Sequence, residues 1–186
     1  MKKEIRIVGF DDSSFDKFMD RKVLVLGIFY RGGNFMDGAM SAYVDVDGDD
    51  STLKLIDMVK RSKFYKQLQA IFLNGIAFGG FNVVDISLLS KKTKLPVVVV
   101  IRRMPDIKKI KDTLRKIKMD DKIKLIEKAG EVHKIDGVYC QYKGCSRELV
   151  EKILKITCTH SNIPEPIRVA HLIGAGIVKG ESKGRA

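Results

Sequence analysis

Aspartates follow the first apolar segment of the chain and recur in a later turn. Asp11 and Asp12 end the segment VGFDD, and Asp47 and Asp50 lie in the turn DGDDS. Carboxylate oxygens are the ligands that Mg²⁺ and Mn²⁺ prefer, and such ions can clamp a phosphate during its hydrolysis. Aspartate is also a favoured turn residue. Taken alone, these positions therefore predict either a divalent-metal site or a set of structural turns.

Short apolar segments predict the elements that position these aspartates. Three strands with short connections begin the chain, which indicates an antiparallel meander. Helices and buried strands then alternate, which implies parallel crossover connections. The predicted strands cover 4–10, 23–30, 38–46, 70–75, 96–101 and 135–142, and the predicted helices begin near Ser51, Asn82, Ile107, Ser146 and Pro166.

This order of elements is that of the ribonuclease H-like fold, an α/β fold with a mixed sheet flanked by helices. We expect five or six strands, with the antiparallel meander first and the parallel strands after it. In that architecture the first strand is central, and the strand after the first helix lies parallel beside it. Asp11 and Asn74 are therefore predicted neighbours at one sheet edge, with Asp47 or Asp50 close enough to join them.

A glutamate between two prolines opens the last predicted helix, in the segment IPEPIRVAH. Pro166 suits the first helical turn, where its missing N–H leaves no hydrogen bond unmade. Arg168 and His171 are three residues apart and share one face of this helix. A single histidine on an apolar helix is more often a structural residue than a ligand, so this segment alone decides nothing.

Basic residues dominate the chain beyond its first third. Lysine and arginine total 35 against 23 acidic residues, which gives a net charge of +12. Such a surface favours a phosphate backbone, because each cation that approaches the backbone releases condensed counterions. The sequence therefore predicts a nucleic acid as the partner and leaves the oligomeric state open.

The first residues and the apolar segments bear on location. The chain starts without the apolar stretch of a signal peptide, and its longest aliphatic run, 97–101, is far shorter than the roughly 20 residues of a spanning helix. The three cysteines form no CxxC pair, which argues against a disulfide framework or a thiolate zinc site. We expect one domain over 1–186, cytoplasmic and without membrane contact, with a frayed tail from about 180.

Several segments together resemble known nuclease families. IPEPIRVAH resembles the closing motif of the endonuclease V family, while VGFDD and LPVVVVIR resemble its first-strand motif and its proline-led strand. The segments GFDDSSF, RGG, VDVDGDDST, GGFNVVDI and HLIGAGIVKGESKGRA are more similar to a narrower archaeal family, endonuclease dU. The resemblance covers nearly the whole chain. It implies a divalent-metal-dependent endonuclease of DNA repair that nicks DNA near a deaminated base, with uracil favoured and hypoxanthine as the alternative.

The family motifs carry over to single positions of this chain. The resemblance implies Asp11 as the first metal ligand and Asp47 or Asp50 as the second carboxylate at Mg²⁺ or Mn²⁺. It implies His171 as the group that the last helix contributes. Arg102 occupies the position of the family's lysine near the phosphate, so the implied catalytic residues are Asp11, Arg102 and His171.

Asn74 departs from the endonuclease V pattern. That family has Asp-Gly here, whereas this chain has Asn74-Gly75, and an amide oxygen coordinates Mg²⁺ without adding charge. Either Asp12 or Asp85 substitutes as a ligand, or only one ion binds tightly, or catalysis is weak. Asp85 also suits the first turn of the helix predicted from Asn82, where a negative charge is favourable by itself.

Basic and glycine positions near these motifs are the predicted contacts to nucleic acid, since glycine permits a close approach of the backbone. These contacts are Arg31, Gly79, Gly80, Arg102, Arg103 and Arg168. The segment NGIAFGGFN lacks a following Gly-Lys-Ser/Thr, which argues against a nucleotide cofactor. The remaining alternative is a nucleic-acid-binding protein that keeps the fold and has lost catalysis. Asn74, which stands where endonuclease V has an aspartate, is the reason to consider it.

Overall fold

A mixed seven-stranded sheet flanked by helices is the frame of the protein. The computed structural model describes residues 4–182. Its strands are β1 (Arg6–Asp12), β2 (Lys22–Arg31), β3 (Phe35–Asp45), β4 (Leu68–Asn74), β5 (Ala77–Phe78), β6 (Asn82–Val83), β7 (Val97–Ile101), β8 (His133–Ile135) and β9 (Val138–Lys143). Its helices are α1 (Ser51–Arg61), α2 (Ile86–Thr93), α3 (Ile107–Lys116), α4 (Asp120–Ala129), α5 (Arg147–Thr157) and α6 (Glu165–Lys179), and a 3₁₀ turn covers Tyr65–Gln67.

The strand pairing confirms the predicted topology around β1. The strand order is β3-β2-β1-β4-β7-β9-β8, so β1 lies in the interior of the sheet. The first three strands pair antiparallel as a meander. β4 lies parallel to β1, with Phe10 beside Leu73, and β7 lies parallel to β4. The carboxyl ends of β1, β4 and β7 therefore meet at one edge of the sheet.

The far side of the sheet differs from the prediction in strand number and direction. β9 is antiparallel to β7, and the three-residue strand β8 adds a seventh strand beyond it. α4 was not predicted; it buries Ile123 and Ile126 against Val83. Its Lys122, 1% exposed, donates to the Gly48 carbonyl at 2.5 Å. These elements are too short or too polar for apolar periodicity to find.

The helix predicted from Asn82 begins later in the chain. Asn82 lies in β6, and α2 starts at Ile86 with Asp85 as its N-cap. The Asp85 side chain accepts a hydrogen bond from the Leu88 N–H at 2.9 Å. The buried Asn82 amide donates instead to the Asp50 carboxylate at 2.7 Å. Asparagine is a favoured N-cap, which explains the prediction, but here its side chain binds a distant turn.

Alternate side chains of the strands pack into two separate cores. On one face, Val8 and Phe10 pack with residues of α1 and α2. On the other, Ile7 and Phe72 pack with residues of α5 and α6. Because helices cover both faces, β1, β4 and β7 are apolar at nearly every central position, whereas the edge strand β3 is largely exposed. The polar residues of β1 and β4 are thereby concentrated at the strand ends.

Two further predictions concern the C-terminal tail and the absence of a membrane-spanning helix. The frayed tail predicted from about 180 falls mostly outside the described residues, which end at 182. Within the range 4–182, no helix is long and apolar enough to cross a membrane.

Candidate functional site

A cleft of about 890 Å³ opens at the carboxyl edge of β1, β4 and β7. Strand ends contribute its acidic and amide groups, and α6 contributes basic groups from one side. Its polar lining includes Asp11, Asp12, Asn74, Arg102, His171 and Lys179. The structure therefore brings together the predicted residues Asp11, Asn74, Arg102 and His171.

The position of α6 along β1 follows from two close contacts. A Cβ added at Gly9 would lie 2.7 Å from the Ile167 nitrogen, and one added at Gly174 would lie 3.3 Å from the Ser13 Cα. The helix advances about 11 Å between its two contacts at ~1.5 Å per residue, and the strand about 13 Å at ~3.3 Å per residue. Helix and strand therefore run in the same direction and stay level with each other.

This alignment places His171 opposite Asp11. The His171 Nδ1 lies 2.9 Å from the Asp11 Oδ2, and Asp11 is 3% exposed. The other carboxylate oxygen of Asp11 accepts the Asp12 N–H at 3.0 Å. The hydrogen bond to Asp11 raises the pKa of His171, although burial acts in the opposite direction. The imidazole thus holds the Asp11 carboxylate in one orientation.

Asp12 also lines the cleft, and its carboxylate is directed to the loop between β5 and β6. Its Oδ2 accepts a hydrogen bond from the Gly79 N–H at 2.7 Å. Burial raises the pKa of Asp12 to about 6; the Gly79 N–H opposes this shift, and the charge of Asp11 adds to it. Among the described residues, no lysine or arginine pairs with either aspartate. His171 is therefore the basic group that faces Asp11, and within residues 4–182 no cationic side chain is bonded to the Asp12 carboxylate.

Asn74 ends β4 beside Asp11. Phe10 pairs with Leu73 in the parallel ladder, so the next residues along the two strands, Asp11 and Asn74, are neighbours. Asn74 also pairs with Val100 of β7 and lines the cleft. Its place at the strand end agrees with the sequence prediction, while its part in metal binding stays a prediction.

Arg102 and Arg103 supply positive charge on the far side of the cleft. Both follow directly after β7, both are exposed, and both line the cleft. Within residues 4–182, neither guanidinium forms a salt bridge with a carboxylate. A guanidinium group without a carboxylate partner can bind a phosphate, because two of its N–H groups donate to two phosphate oxygens.

Asp47 and Asp50 are not among the residues that line the cleft, contrary to the expectation that one would join Asp11. The Asp50 carboxylate accepts hydrogen bonds from the Asp45 N–H at 3.1 Å and from the Asn82 amide. The Asp47 carboxylate accepts the Phe81 N–H at 2.7 Å. Both acids are used to join the turn after β3 to the β5–β6 sheet. Asp12 is the second acidic side chain in the cleft instead.

The loop between β5 and β6 depends on its two glycines. Gly79 and Gly80 have φ values of +55° and +86°, in the left-handed region that glycine favours. A Cβ at Gly80 would lie 2.3 Å from an oxygen of Asp47. Asp47 and the loop also bond through the backbone, from the Asp47 N–H to the Gly79 carbonyl at 2.8 Å. The loop therefore presents the Gly79 N–H to Asp12.

Sequence comparison identifies the family of this chain. A family model described as Endonuclease dU matches residues 3–178. The chain belongs to the endonuclease dU family. A UPF0215 protein of Methanosarcina barkeri is 44% identical over 191 residues, which cover 100% of this chain and 97% of that protein.

Solved structures share the fold of this endonuclease dU family member. A protein of unknown function from Archaeoglobus fulgidus has a TM-score of 0.87 and 43% identity, covering 93% of this chain and 98% of that one. Endonuclease V of Ciona intestinalis, in complex with a 24mer DNA containing an inosine followed by a ribo-adenosine, has a TM-score of 0.59 and 18% identity. The match covers 90% of this chain and 83% of that one. The likeness to endonuclease V shows the predicted ribonuclease H-like fold.

The cleft contains oxygen atoms of the kind that a divalent cation binds. Asp11 and Asp12 offer carboxylates, and Asn74 offers an amide oxygen. Within residues 4–182, no group of three or more Asp, Glu, His or Cys side chains is arranged to hold an ion by itself. Mg²⁺ commonly binds one or two carboxylates and completes its shell with waters and substrate phosphates. The residues therefore fit a cation shared with a bound phosphate.

Two arginines predicted to contact nucleic acid lie outside the cleft of this family member. Arg31 lies level with the start of β1, and its Nε donates to Asp37 at 2.9 Å. Arg168 donates through Nε and Nη2 to Glu165, whose side chain is 2% exposed. Both guanidinium groups already bind neighbouring carboxylates, so the structure does not bring them to the site, and their contact with nucleic acid stays a prediction.

Two lysines near the cleft were not predicted. Lys179 lines the cleft and lies eight residues after His171, about two helical turns along the same face of α6. Helical spacing from His171 was the signal that could have found it. Lys17 lies 3.5 Å from the Asp47 carboxylate and 5.3 Å from the centre of the Phe81 ring. This contact joins two loops, and no sequence pattern indicates it.

Proposed function

We propose that this protein is a divalent-metal-dependent endonuclease that nicks DNA beside a deaminated base, with deoxyuridine as the preferred lesion and deoxyinosine as the second. The family description supports nuclease activity, and the inosine-containing DNA bound by the Ciona endonuclease V supports DNA as the substrate. The observation that carries the proposal is the meeting of Asp11, Asp12 and Asn74 at one sheet edge, with His171 bonded to Asp11.

The acidic and amide groups of the cleft would bind the metal ion, and the basic groups would bind the substrate. Asp11, Asp12 and the Asn74 oxygen would hold Mg²⁺ or Mn²⁺. A divalent ion in that position supplies Lewis-acid activation of a water nucleophile and neutralises charge on the phosphate. His171 keeps the Asp11 carboxylate in place through its hydrogen bond. Loss of this bond would leave Asp11 free to rotate away from the cation.

The basic groups bind the substrate backbone. Arg102 and Arg103 reach the phosphate oxygens from the end of β7, and Lys179 reaches them from α6. Guanidinium groups also stabilise the charge that develops on the phosphate during hydrolysis. A deaminated base pairs weakly with its partner, so its extrusion from the duplex requires less free energy than that of an intact base. Part of the preference for a lesion follows from this difference.

Asn74 favours a second candidate function, a nucleic-acid-binding protein without catalysis. An amide at this position leaves the cleft with one carboxylate fewer than endonuclease V has there. Phosphate binding by Arg102 and Arg103 would be unaffected. The two functions differ only in whether bound DNA is cut.

Synthetic duplexes with one defined lesion distinguish the two functions. We expect Mg²⁺-dependent nicking of a duplex that contains deoxyuridine, slower nicking with deoxyinosine, and none with intact DNA. A preparation of Asp11→Asn, purified in the same way, excludes a contaminating nuclease. Binding of all three duplexes without nicking, at any concentration of Mg²⁺ or Mn²⁺, would contradict the nuclease and support the binding protein.

A further inference from the structure

The loop between β1 and β2 exposes two adjacent apolar side chains, Phe18 and Met19, which we name the hairpin tip. Phe18 is 94% exposed and Met19 is 80% exposed, the highest values among the large hydrophobic side chains that the structure describes. Exposed apolar side chains are common one at a time. Two neighbours at the end of a polar loop indicate a contact surface.

Hydrogen bonds within the loop close its backbone on itself. The Asp16 Oδ1 accepts the Phe18 N–H at 2.8 Å and the Met19 N–H at 3.3 Å. The Asp16 N–H donates to the Asp20 carboxylate at 2.8 Å, and the Asp20 N–H donates back to the Asp16 carbonyl at 2.9 Å. The backbone groups of the loop bind each other, so the apolar side chains are the part of the loop that is available to a partner.

Lys17 ties the hairpin tip to the turn after β3 and to the loop between β5 and β6. Its Nζ lies near the Asp47 carboxylate and over the Phe81 ring. On the other side, Phe15 lines the cleft itself. Phe18 follows Phe15 by three residues, which span at most about 10 Å. At ~3.4 Å per base pair, this places the tip within about three base-pair steps of a nucleic acid held in the cleft.

The narrow apolar surface of the tip and the arginines of the neighbouring cleft indicate which partner the tip contacts. The side chains next to Phe18 and Met19 in sequence are Lys17 and Asp20, so the apolar surface is only two side chains wide. A stable protein interface needs about 800 Å² from each partner, far more than this surface offers. A gap between stacked bases is narrow and apolar, and Arg102 and Arg103 supply the charge that holds a duplex beside it.

We propose that the hairpin tip inserts Phe18 between base pairs of the bound duplex, supported by Met19, next to the base that is extruded into the cleft. This inference rests on the proposed function. Phenylalanine and methionine are among the side chains that DNA-binding proteins insert between base steps, where they compensate an unstacking cost of a few kcal/mol. The inserted ring occupies the space of the extruded base and keeps that base from returning to the stack.

Paired substrates test the insertion. The double variant Phe18→Ala/Met19→Ala is compared with the parent on a deoxyuridine duplex and on the same strand without its complement. We expect duplex nicking to fall about tenfold or more, because the unstacking cost is no longer compensated. Single-strand nicking should stay near the parent rate, since no stack has to open. Phe18→Leu/Met19→Leu should keep most of the duplex activity.

Phe35→Ala is the matched control, because Phe35 is also exposed, at 55%, but lies at the other end of β2 against Arg31. It should leave both rates unchanged. Thermal unfolding of each variant checks that the fold is intact. A double variant that nicks the duplex as fast as the parent overturns the insertion while the proposed function stands.

A fluorescence measurement separates failure of the insertion from failure of the proposed function. In the non-cleaving background Asp11→Asn, a duplex with 2-aminopurine beside the deoxyuridine should brighten on binding, because the reporter base loses its stacking neighbour. The hairpin-tip double variant in the same background should give little rise. An equal rise in both proteins overturns the insertion. If the parent nicks neither substrate, the proposed function fails, and this comparison still decides whether the tip opens the stack.

Discussion

Arginine and aspartate side chains lie at both ends of β1, but only at one end is each of them paired with an opposite charge. At its start, Arg6 and Arg31 donate to the same carboxylate of Asp37, at 2.7 and 2.9 Å, and Asp37 is 8% exposed. We call these three residues the paired end. At its carboxyl terminus lies the open end, formed by the adjacent carboxylates Asp11 and Asp12 and by the arginines after β7.

The comparison distinguishes charges that bind each other within the protein from charges that are available to a ligand. At the paired end, each of the three charged groups has an opposite charge within hydrogen-bond distance. At the open end, Arg102 and Arg103 form no salt bridge among the described residues, and the pKa of Asp12 is raised to about 6 by burial and by the charge of Asp11. Under the proposed function, a divalent cation and a phosphate would supply the opposite charges.

Removal of a carboxylate from the open end should have the largest effect on activity. We expect Asp11→Asn to lower the nicking rate by about 10³-fold, comparable to other single losses of charge stabilisation. Its thermal midpoint and its affinity for undamaged duplex should stay close to those of the parent. Nicking at the parent rate would show that the site is misplaced.

Removal of the carboxylate from the paired end should affect stability and leave activity intact. Arg31 is 37% exposed, so solvent screens part of its pairing with Asp37. We therefore expect Asp37→Ala to lower the free energy of unfolding by about 2 kcal/mol, below the 3–5 of a fully buried pair. Urea unfolding measures this, with Arg61→Ala as an exposed-pair control expected to change little. If Asp37→Ala lost nicking activity without losing stability, the paired end would also take part in the reaction, and the proposed distinction between the two ends would be wrong.

Addition of a carboxylate to the open end should strengthen metal binding. Asn74→Asp places a negative charge near the proposed cation, where Coulomb attraction is worth about 1–4 kcal/mol depending on the effective dielectric. The Mg²⁺ concentration for half-maximal activity or thermal stabilisation should therefore fall. Asn34→Asp, in the exposed turn after β2, is the control. If Asn74→Asp leaves both values unchanged while Asp11→Asn shifts them, Asn74 lies outside the coordination sphere.

Salt dependence should show the smallest difference between the ends. The affinity for undamaged duplex should fall linearly with salt on logarithmic axes, and each lost phosphate contact should lower the slope by about 0.9. We expect Arg102→Gln and Arg103→Gln to show this reduction. Arg31→Gln should leave the slope unchanged, because its guanidinium is held by Asp37. A reduced slope for Arg31→Gln would instead support the sequence-based prediction that Arg31 contacts nucleic acid.

The sequence predicted the edge of the sheet well because that edge follows from strand order. Asp11 and Asn74 end two strands whose parallel pairing is fixed by the topology, and periodicity finds such strands. His171 was predicted from its motif, but its bond to Asp11 depends on the packing of α6 against Gly9. The distance at which a helix packs against a strand cannot be read from the periodicity or the motif of either element alone.

Turns and pairings between distant segments account for what the sequence did not predict. Asp47 adopts φ +52°, which directs the chain toward the glycine loop, and a run of acids does not reveal such a backbone angle. The pairing of Arg31 with Asp37 crosses a turn, and no sequence pattern indicated it. Asn82 was read as a local cap, although its amide binds Asp50 on another element.

The level alignment of α6 with β1 limits how this part of the chain can change in length. Between the contacts of Ile167 and Gly174, each inserted residue turns the rest of the helix by about 100° and advances it ~1.5 Å. One insertion before His171 would turn the imidazole away from Asp11 even if every side chain of the site were kept. The number of residues between these two contacts therefore fixes the position of His171 as firmly as the side chains do.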